Sequence, residues 1–269
     1  LSVNSLEKAI ELNGVSIEQN LKAFNWGRLL AEKKMNVFKY AGLIKNEKTK
    51  IDVKNEILKF RKILTDYQDN DLAKLYENLI NKLYLKEKKL FGNEKNFVLS
   101  RKASRMLFRF MRYKDEYEVA RLHTQTNFSK NFLNNNKNFK IEYYLAPPIF
   151  SFKDQSTGHP KKIKFGSWII LLFKILSKFK FVRGSKFDIF GKTSERKKER
   201  ELAEKAKLSI KHITENLIDQ NYRICENLID TSLKINGFGH VKDNKINQYE
   251  GIWENLLEKI TNVKLKKAG

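Results

Sequence analysis

Apolar residues recur along this chain at steps of three and four, the spacing that keeps one face of a helix turned to a core. Val53, Ile57, Phe60, Leu64 and Tyr67 make one such stripe, and Leu72, Leu75, Leu79 and Leu83 resume it after a break at Asp69–Asp71. Leu99, Ala103, Met106, Phe110, Tyr113, Tyr117 and Ala120 read as a single long stripe. Leu202, Ala206, Ile210, Ile213 and Leu217 form another, and Ile246, Tyr249, Trp253, Leu256, Ile260 and Val263 form the last. Each predicts a packed amphipathic helix. Boundary chemistry agrees. Asn4 with Glu7 and Ser16 with Gln19 have capping-box spacing, Gly14 suits a helix end, and Thr193 or Ser194 suits the cap of a charged helix.

One stretch changes period. Between Asn138 and Phe165, Phe139, Ile141 and Tyr143 alternate with Lys140, Glu142 and Tyr144, a strand pattern, and Lys161–Phe165 is its predicted partner beyond the turn-rich Asp154–Pro160. Pro147 and Pro148 end the first strand, since proline has no N–H for the ladder. The expected fold is mainly α, a multi-helix domain with a small inserted β-hairpin or ribbon around residues 138–166. The pattern weakens and Lys becomes frequent over Glu32–Lys50, which places a domain boundary there, between residues 1–35 and residues 36–269. The chain opens at Leu1 without Met, as a fragment of a longer protein does.

Composition narrows the function classes. The most apolar run, Trp168–Phe173, is interrupted by Lys174, far short of the ~20 residues a membrane span needs. No signal-peptide pattern opens the chain, so a cytoplasmic location is expected. Cys225 is the one cysteine, which excludes an internal disulfide and any cysteine-built cluster within these 269 residues. His123, His159 and His212 have no partner at metal-ligand spacing, and no metal site is expected. The 54 basic and 31 acidic residues leave a net charge of +23. That balance fits an acidic protein partner, nucleic acid, or Lys-rich drift on solvated faces.

Candidate chemistry gathers in short strings. In YKDEYEVARLHT, Tyr113–Thr124, the core stripe leaves Lys114, Asp115, Glu116, Glu118 and Arg121 on other faces, with Lys114–Glu118 and Glu118–Arg121 at ion-pair spacing. Asp115 or Glu116 is a candidate general base, and His123 or Arg121 a candidate anion contact. The alternative is a charged helix whose ions lock it to a neighbouring domain. His240 and Lys242, in the GFGHVK turn at Gly237–Lys242, are candidates for holding a phosphate or carboxylate at a helix start. Asp154–Arg183 interleaves Lys161, Lys162, Lys164 and Arg183 with Phe165, Trp168, Phe173, Phe179 and Phe181. That mixture suits nucleic-acid stacking, an interfacial membrane helix, or a core helix over Ser167–Phe179 whose Lys side chains reach outward. Glu195, Arg196, Lys197, Lys198, Glu199 and Arg200 read as a solvated helix face.

YKDEYEVARLHT is followed in order by LAPP at Leu145–Pro148, FGSW at Phe165–Trp168, FDIFGKTSERKKER at Phe187–Arg200, and GFGHVK. Taken together these strings resemble the C-terminal region of the single-chain indolepyruvate ferredoxin oxidoreductases, of the 2-oxoacid:ferredoxin oxidoreductase family. Lys8–Arg28, KAIELNGVSIEQNLKAFNWGR, resembles the end of the preceding γ-type domain. The resemblance implies an enzyme that oxidatively decarboxylates aryl-2-oxo acids such as indolepyruvate to acyl-CoA. It implies thiamine diphosphate with Mg²⁺, a [4Fe–4S] cluster, ferredoxin and coenzyme A as partners, and a homodimer. The GDG…N signature for thiamine diphosphate and its metal is missing here, so the resemblance implies membership rather than catalytic residues. This segment is then a non-catalytic end, serving assembly or docking against the upstream domains, and inactive alone. Lys161, Lys162, Lys164 and Arg183 are its candidates for attracting the phosphates of coenzyme A, and the overall positive charge for attracting an acidic ferredoxin. The competing class is a free-standing basic helical module for nucleic acid, which lacks any recognised nucleic-acid motif.

Overall fold

The fold is that of a computed structural model in which residues 2–32, 52–126, 141–145 and 162–268 are described, with side chains to residue 263. The chain divides into two compact units, residues 1–51 and 52–269. In the first, α1 (Val3–Asn13) and α2 (Ile17–Glu32) form a helical pair. Gly14 ends α1 in the left-handed region at φ 69°, as its position suggested. The cap at the other end is Ser2, not Asn4: its hydroxyl accepts the Ser5 N–H at 3.2 Å, so the helix begins one residue ahead of the box. Ser16, just before α2, has φ 45°.

The second unit is built on α3 (Val53–Tyr67), α4 (Asn70–Phe91), α5 (Val98–Met111), α8 (Ser194–Asn216), α9 (Tyr222–Lys234) and α10 (Gly239–Ala268). One continuous core joins all six. Leu99, Ala103, Met106, Leu107, Ala206, Ile210, Ile213, Leu217, Trp253 and Ile260 are fully excluded from water. Phe60 stacks on Phe108 at 4.1 Å, and Trp253 donates its indole N–H to Ser209 Oγ at 3.0 Å, so the largest buried ring has its one polar atom satisfied. In α4 the buried positions are Ala73, Tyr76, Ile80, Leu83, Glu87 and Phe91, while Leu75 is exposed. Leu72 and Leu79 pack at the edge of the core and Leu83 inside it, so the expected stripe departs only at Leu75, while Tyr76 beside it is buried and bonds Ser104 Oγ at 2.6 Å.

A smaller layer stands on this bundle: α6 (Glu116–Gln125), the hairpin β1 (Tyr143–Leu145) and β2 (Ile163–Phe165), and α7 (Ile169–Lys178). The strands pair antiparallel, with Tyr143 opposite Phe165 and Leu145 opposite Ile163. Ala120, Ile169 and Phe173 form its core, covered by Val119, Tyr143, Leu145, Phe165 and Leu176. The expected mainly α fold with a small hairpin is what the chain adopts. Phe139, Lys140, Pro147, Pro148, His159, Lys161 and the turn at Asp154–Pro160 lie outside the described residues.

The single stripe from Leu99 to Ala120 is in fact two helices. The chain leaves α5 at Arg112, and α6 starts only at Glu116. Asp115, extended at φ −131°, caps α6 by accepting the Glu118 N–H at 2.8 Å. The apolar spacing carries across the break because Tyr113 and Tyr117 are both buried, on the two sides of a turn.

Candidate functional site

The residues of YKDEYEVARLHT meet at the junction between the small layer and the bundle. Asp115 starts α6, Tyr67 ends α3, and Arg183 follows a 3₁₀ turn at Phe179–Val182. Arg183 clasps Asp115 with two bonds, Nε to Oδ2 at 2.5 Å and Nη2 to Oδ1 at 2.9 Å. Both side chains are only 3 % exposed. Nη1 of the same guanidinium donates to the Tyr67 carbonyl at 2.8 Å, and its carbon stands 3.7 Å from the centre of the Tyr67 ring. Tyr67 Oη in turn donates to the Tyr113 carbonyl at 3.0 Å. Planar, bidentate and stacked recognition of this kind needs arginine; a lysine point charge would not supply it.

A second ring of contacts surrounds the clasp. Glu118 and Arg121 pair bidentately at 2.7 and 2.9 Å, both buried. Glu116 receives Arg196 of α8 at 3.1 Å. Tyr117 Oη donates to Asp188 Oδ1 at 3.2 Å, and Asp188 also accepts the N–H groups of Gly184 and Gly191, each at 2.8 Å. Arg200 Nη2 donates to the Gly191 carbonyl at 2.6 Å. Gly191 is dictated by this crowding: a Cβ there would fall 2.3 Å from Asp188 Oδ2. Lys180 donates to the carbonyls of Thr65 and Asp66 at 3.2 and 2.7 Å, a cation at the negative end of α3.

Electrostatics follows from these contacts. Burial pushes Tyr67 well above its ordinary range, and the nearby Asp115 carboxylate pushes the same way. Tyr117 is raised by burial and then by Asp188. Arg183 is raised because the bonds and charge of Asp115 and the neighbouring tyrosines outweigh its burial. All these groups are held in the protonation states that make the contacts.

Several expectations need correction here. Lys114–Glu118 is not a helical pair, because α6 starts after Lys114, which stands exposed with its ammonium 5.3 Å over the Phe238 ring. Asp115, Glu118 and Arg121, off the core stripe of the motif, are nevertheless interior groups, as ions that lock a helix in place would be. The helix at Glu195–Arg200 is not a plain solvated face: Arg196 and Arg200 serve the junction, and buried Glu199 binds Lys242 at 2.5 Å. Arg183 does not join Lys162 and Lys164 in an exposed phosphate-attracting cluster, since its guanidinium is committed to Asp115 and Tyr67. Lys164 pairs with Glu142 at 2.8 Å across the hairpin, and Lys162 is exposed. Lys161 lies outside the described residues.

His123 packs in the small layer, its ring stacked 5.4 Å from Phe173 and edge-on to Tyr143 at 5.3 Å. Burial and then Lys114 hold its pKa below the usual value, so it stays neutral. His240 is the second residue of α10 and is exposed; Gly237 and Gly239, at φ 100° and 53°, make the turn before it. Lys242 pairs with the buried Glu199. Among the described residues no group of three His, Cys, Asp or Glu is placed to hold a metal ion.

Sequence reasoning missed one site in the bundle. Glu87, fully buried, accepts the Leu99 N–H at 3.2 Å, the Ser100 N–H and hydroxyl at 2.8 and 2.5 Å, and the Tyr222 hydroxyl at 2.7 Å. It thereby caps α5, whose own N-cap, Phe97, has no side-chain acceptor. A Glu inside a Lys-rich helix end, EKK, gives no local sign of that role.

Residues 55–255, three quarters of the chain, match a single family from within α3 to within α10. The chain belongs to DUF6537, a family of unknown function. No curated protein and no solved structure matches it. The family segment contains the whole junction and Glu87, whereas α1 and α2 lie ahead of it.

Proposed function

We infer that this chain is the C-terminal, non-catalytic part of a thiamine-diphosphate-dependent indolepyruvate ferredoxin oxidoreductase, and that it serves assembly. The motif resemblance supplies the enzyme. The observation that carries the assembly role is the state of the ions in YKDEYEVARLHT: Asp115, Glu116, Glu118 and Arg121 are each answered by an internal partner. A general base must be able to reach a substrate proton. Asp115, 3 % exposed and bound through both oxygens, is suited instead to locking two layers together. Thiamine diphosphate, Mg²⁺ and the [4Fe–4S] cluster belong, on this reading, to upstream domains that also bind the aryl-2-oxo acid, coenzyme A and ferredoxin.

The test is the DNA upstream of the Leu1 codon. An uninterrupted frame encoding a GDG…N segment and cysteine clusters is expected. A start codon immediately before Leu1, with no such enzyme in frame, would overturn the reading and favour a free-standing basic module for nucleic acid. Such a module would lose affinity log-linearly with salt as phosphates are neutralised.

A further inference from the structure

Helix α7 is apolar on two faces, and only one of them is covered. Ile169, Phe173 and Ser177 are buried against the small layer. A second stripe, Trp168, Leu171, Leu172, Ile175 and Phe179, follows the same helical spacing and is exposed, with Leu171 at 68 % and Ile175 at 51 %. Phe181, 65 % exposed, extends it along the 3₁₀ turn. A helix hydrophobic all round belongs in an interior, and a contiguous apolar patch of this size on a protein surface marks an interaction site.

Charge says what covers it. From residue 155 to residue 187 the chain has no Asp or Glu. Of the described cations there, Arg183 and Lys180 are committed to the junction and Lys164 to Glu142, which leaves Lys162, Lys174, Lys178 and Lys186 exposed. A second copy of this chain docking through the same face on a two-fold axis would bring two Lys-bearing faces together, with no carboxylate from residues 155–187 to answer them. A bilayer surface takes a helix whose other face is polar and solvated, whereas the other face of α7 is core.

We propose that the outer face of α7 docks against a protein surface with an apolar centre and a carboxylate rim. Resting on the reading above, that surface belongs to the upstream domains of the same polypeptide. The apolar stripe supplies the affinity, and Lys174 and Lys178 fix the register by pairing with the rim.

The experiment is carbodiimide cross-linking of the complete polypeptide, with the joined peptides identified by mass spectrometry. Lys174, Lys178 or Lys186 is expected to join carboxylates upstream of residue 1. Cross-links confined to carboxylates within residues 1–269, in one copy or between two, would overturn the proposal. The paired variants Leu171→Glu/Ile175→Glu and Leu171→Lys/Ile175→Lys separate charge from bulk, and both sites are exposed enough to spare the fold. The Glu pair is expected to abolish the cross-links and the Lys pair to retain them; equal loss in both would overturn the carboxylate rim. Flotation of the polypeptide with phosphatidylglycerol vesicles would replace the protein partner by a membrane. An upstream frame without oxidoreductase signatures would sink the assembly reading. A frame that has them but gives no such cross-links would sink this inference alone.

Discussion

Replacing Asp115 by Asn tests whether the most conspicuous motif of the chain is structural. The substitution keeps shape and the acceptor that caps α6, but removes the charge facing Arg183. The two groups are 3 % exposed and joined at 2.5 and 2.9 Å, so the guanidinium would be left inside the protein without its counter-ion. Breaking a buried pair from one side costs roughly 3–5 kcal/mol. Asn also turns an amide NH₂ towards a donor, which places this variant near the upper end. Arg183→Met removes the same pair and the bond to the Tyr67 carbonyl, for roughly 4–5 kcal/mol. In the double variant neither buried charge is stranded, so its cost should fall short of the sum by about 2 kcal/mol or more.

The assay is urea unfolding followed by far-ultraviolet circular dichroism, with the slopes checked for equality. In a unit of this size each kcal/mol moves Tm by about 2–4 °C, so Asp115→Asn, near the upper end, should melt roughly 10–20 °C below the parent. Two results would refute the reasoning. One is a loss below about 1 kcal/mol for Asp115→Asn, which would mean the carboxylate is not holding the junction. The other is additivity of the two single variants within about 0.5 kcal/mol, the behaviour of independent sites.

Other outcomes follow from the same geometry. Glu87→Gln should cost roughly 2–4 kcal/mol in the same unfolding assay, because an amide cannot accept from four donors that all face a carboxylate; a neutral result would mean α5 is capped otherwise. Gly191→Ala should lose roughly 1–3 kcal/mol, since its methyl meets Asp188 Oδ2 and Arg200 Nη1 at 2.3 and 2.9 Å. Cys225 is buried, with its thiol pushed up to about 12, so a disulfide reagent should modify it only at the rate of unfolding and immediately in urea. Tyr67, Tyr76, Tyr117 and Tyr222 are all raised in the folded state, burial first. Their contribution to stability is therefore complete below the ordinary tyrosine pKa of about 10 and is lost as pH rises through their raised values. Absorbance at 295 nm should show them ionising together with loss of helicity, not before it.

How much of this was legible in the sequence depends on the range of the interaction. Stripes such as Leu202–Leu217 and caps such as Thr193 and Gly14 are set by neighbours within a turn or two, and they hold as written. The hairpin was legible because alternation has a period of its own, and Tyr143 pairs with Phe165 across it. The break between α5 and α6 was not legible: an apolar period continues through Tyr113 and Tyr117 whether or not the backbone does. Pairs such as Asp115 with Arg183, 68 residues apart, and Glu87 with Tyr222, 135 apart, depend on tertiary placement. A charged residue bound inside and one facing water look alike in a string. The α7 region shows the reverse. Its sequence suited a core helix, and its buried face conforms; the uncovered second face became visible only when each side chain had a place.

The junction and the outer face of α7 are linked by the stretch that connects them. From Lys178 the chain passes through the 3₁₀ turn at Phe179–Val182, places Lys180 on the end of α3, and reaches Asp115 with Arg183. Both ends of α7 are therefore tied to neighbouring elements, the hairpin before it through Phe165 and Trp168 and the clasp after it. A docking helix held this way loses little freedom on binding, and the ordering cost that would otherwise oppose association is met within the fold. The clasp is then a positioning device for a surface, although its own partners, Asp115, Arg183 and Tyr67, all belong to residues 52–269. Loosening it with Arg183→Lys, which keeps the charge but gives up the fork, should weaken what α7 holds by more than it weakens the bundle. That difference is what separates a lock that serves docking from one that serves stability alone.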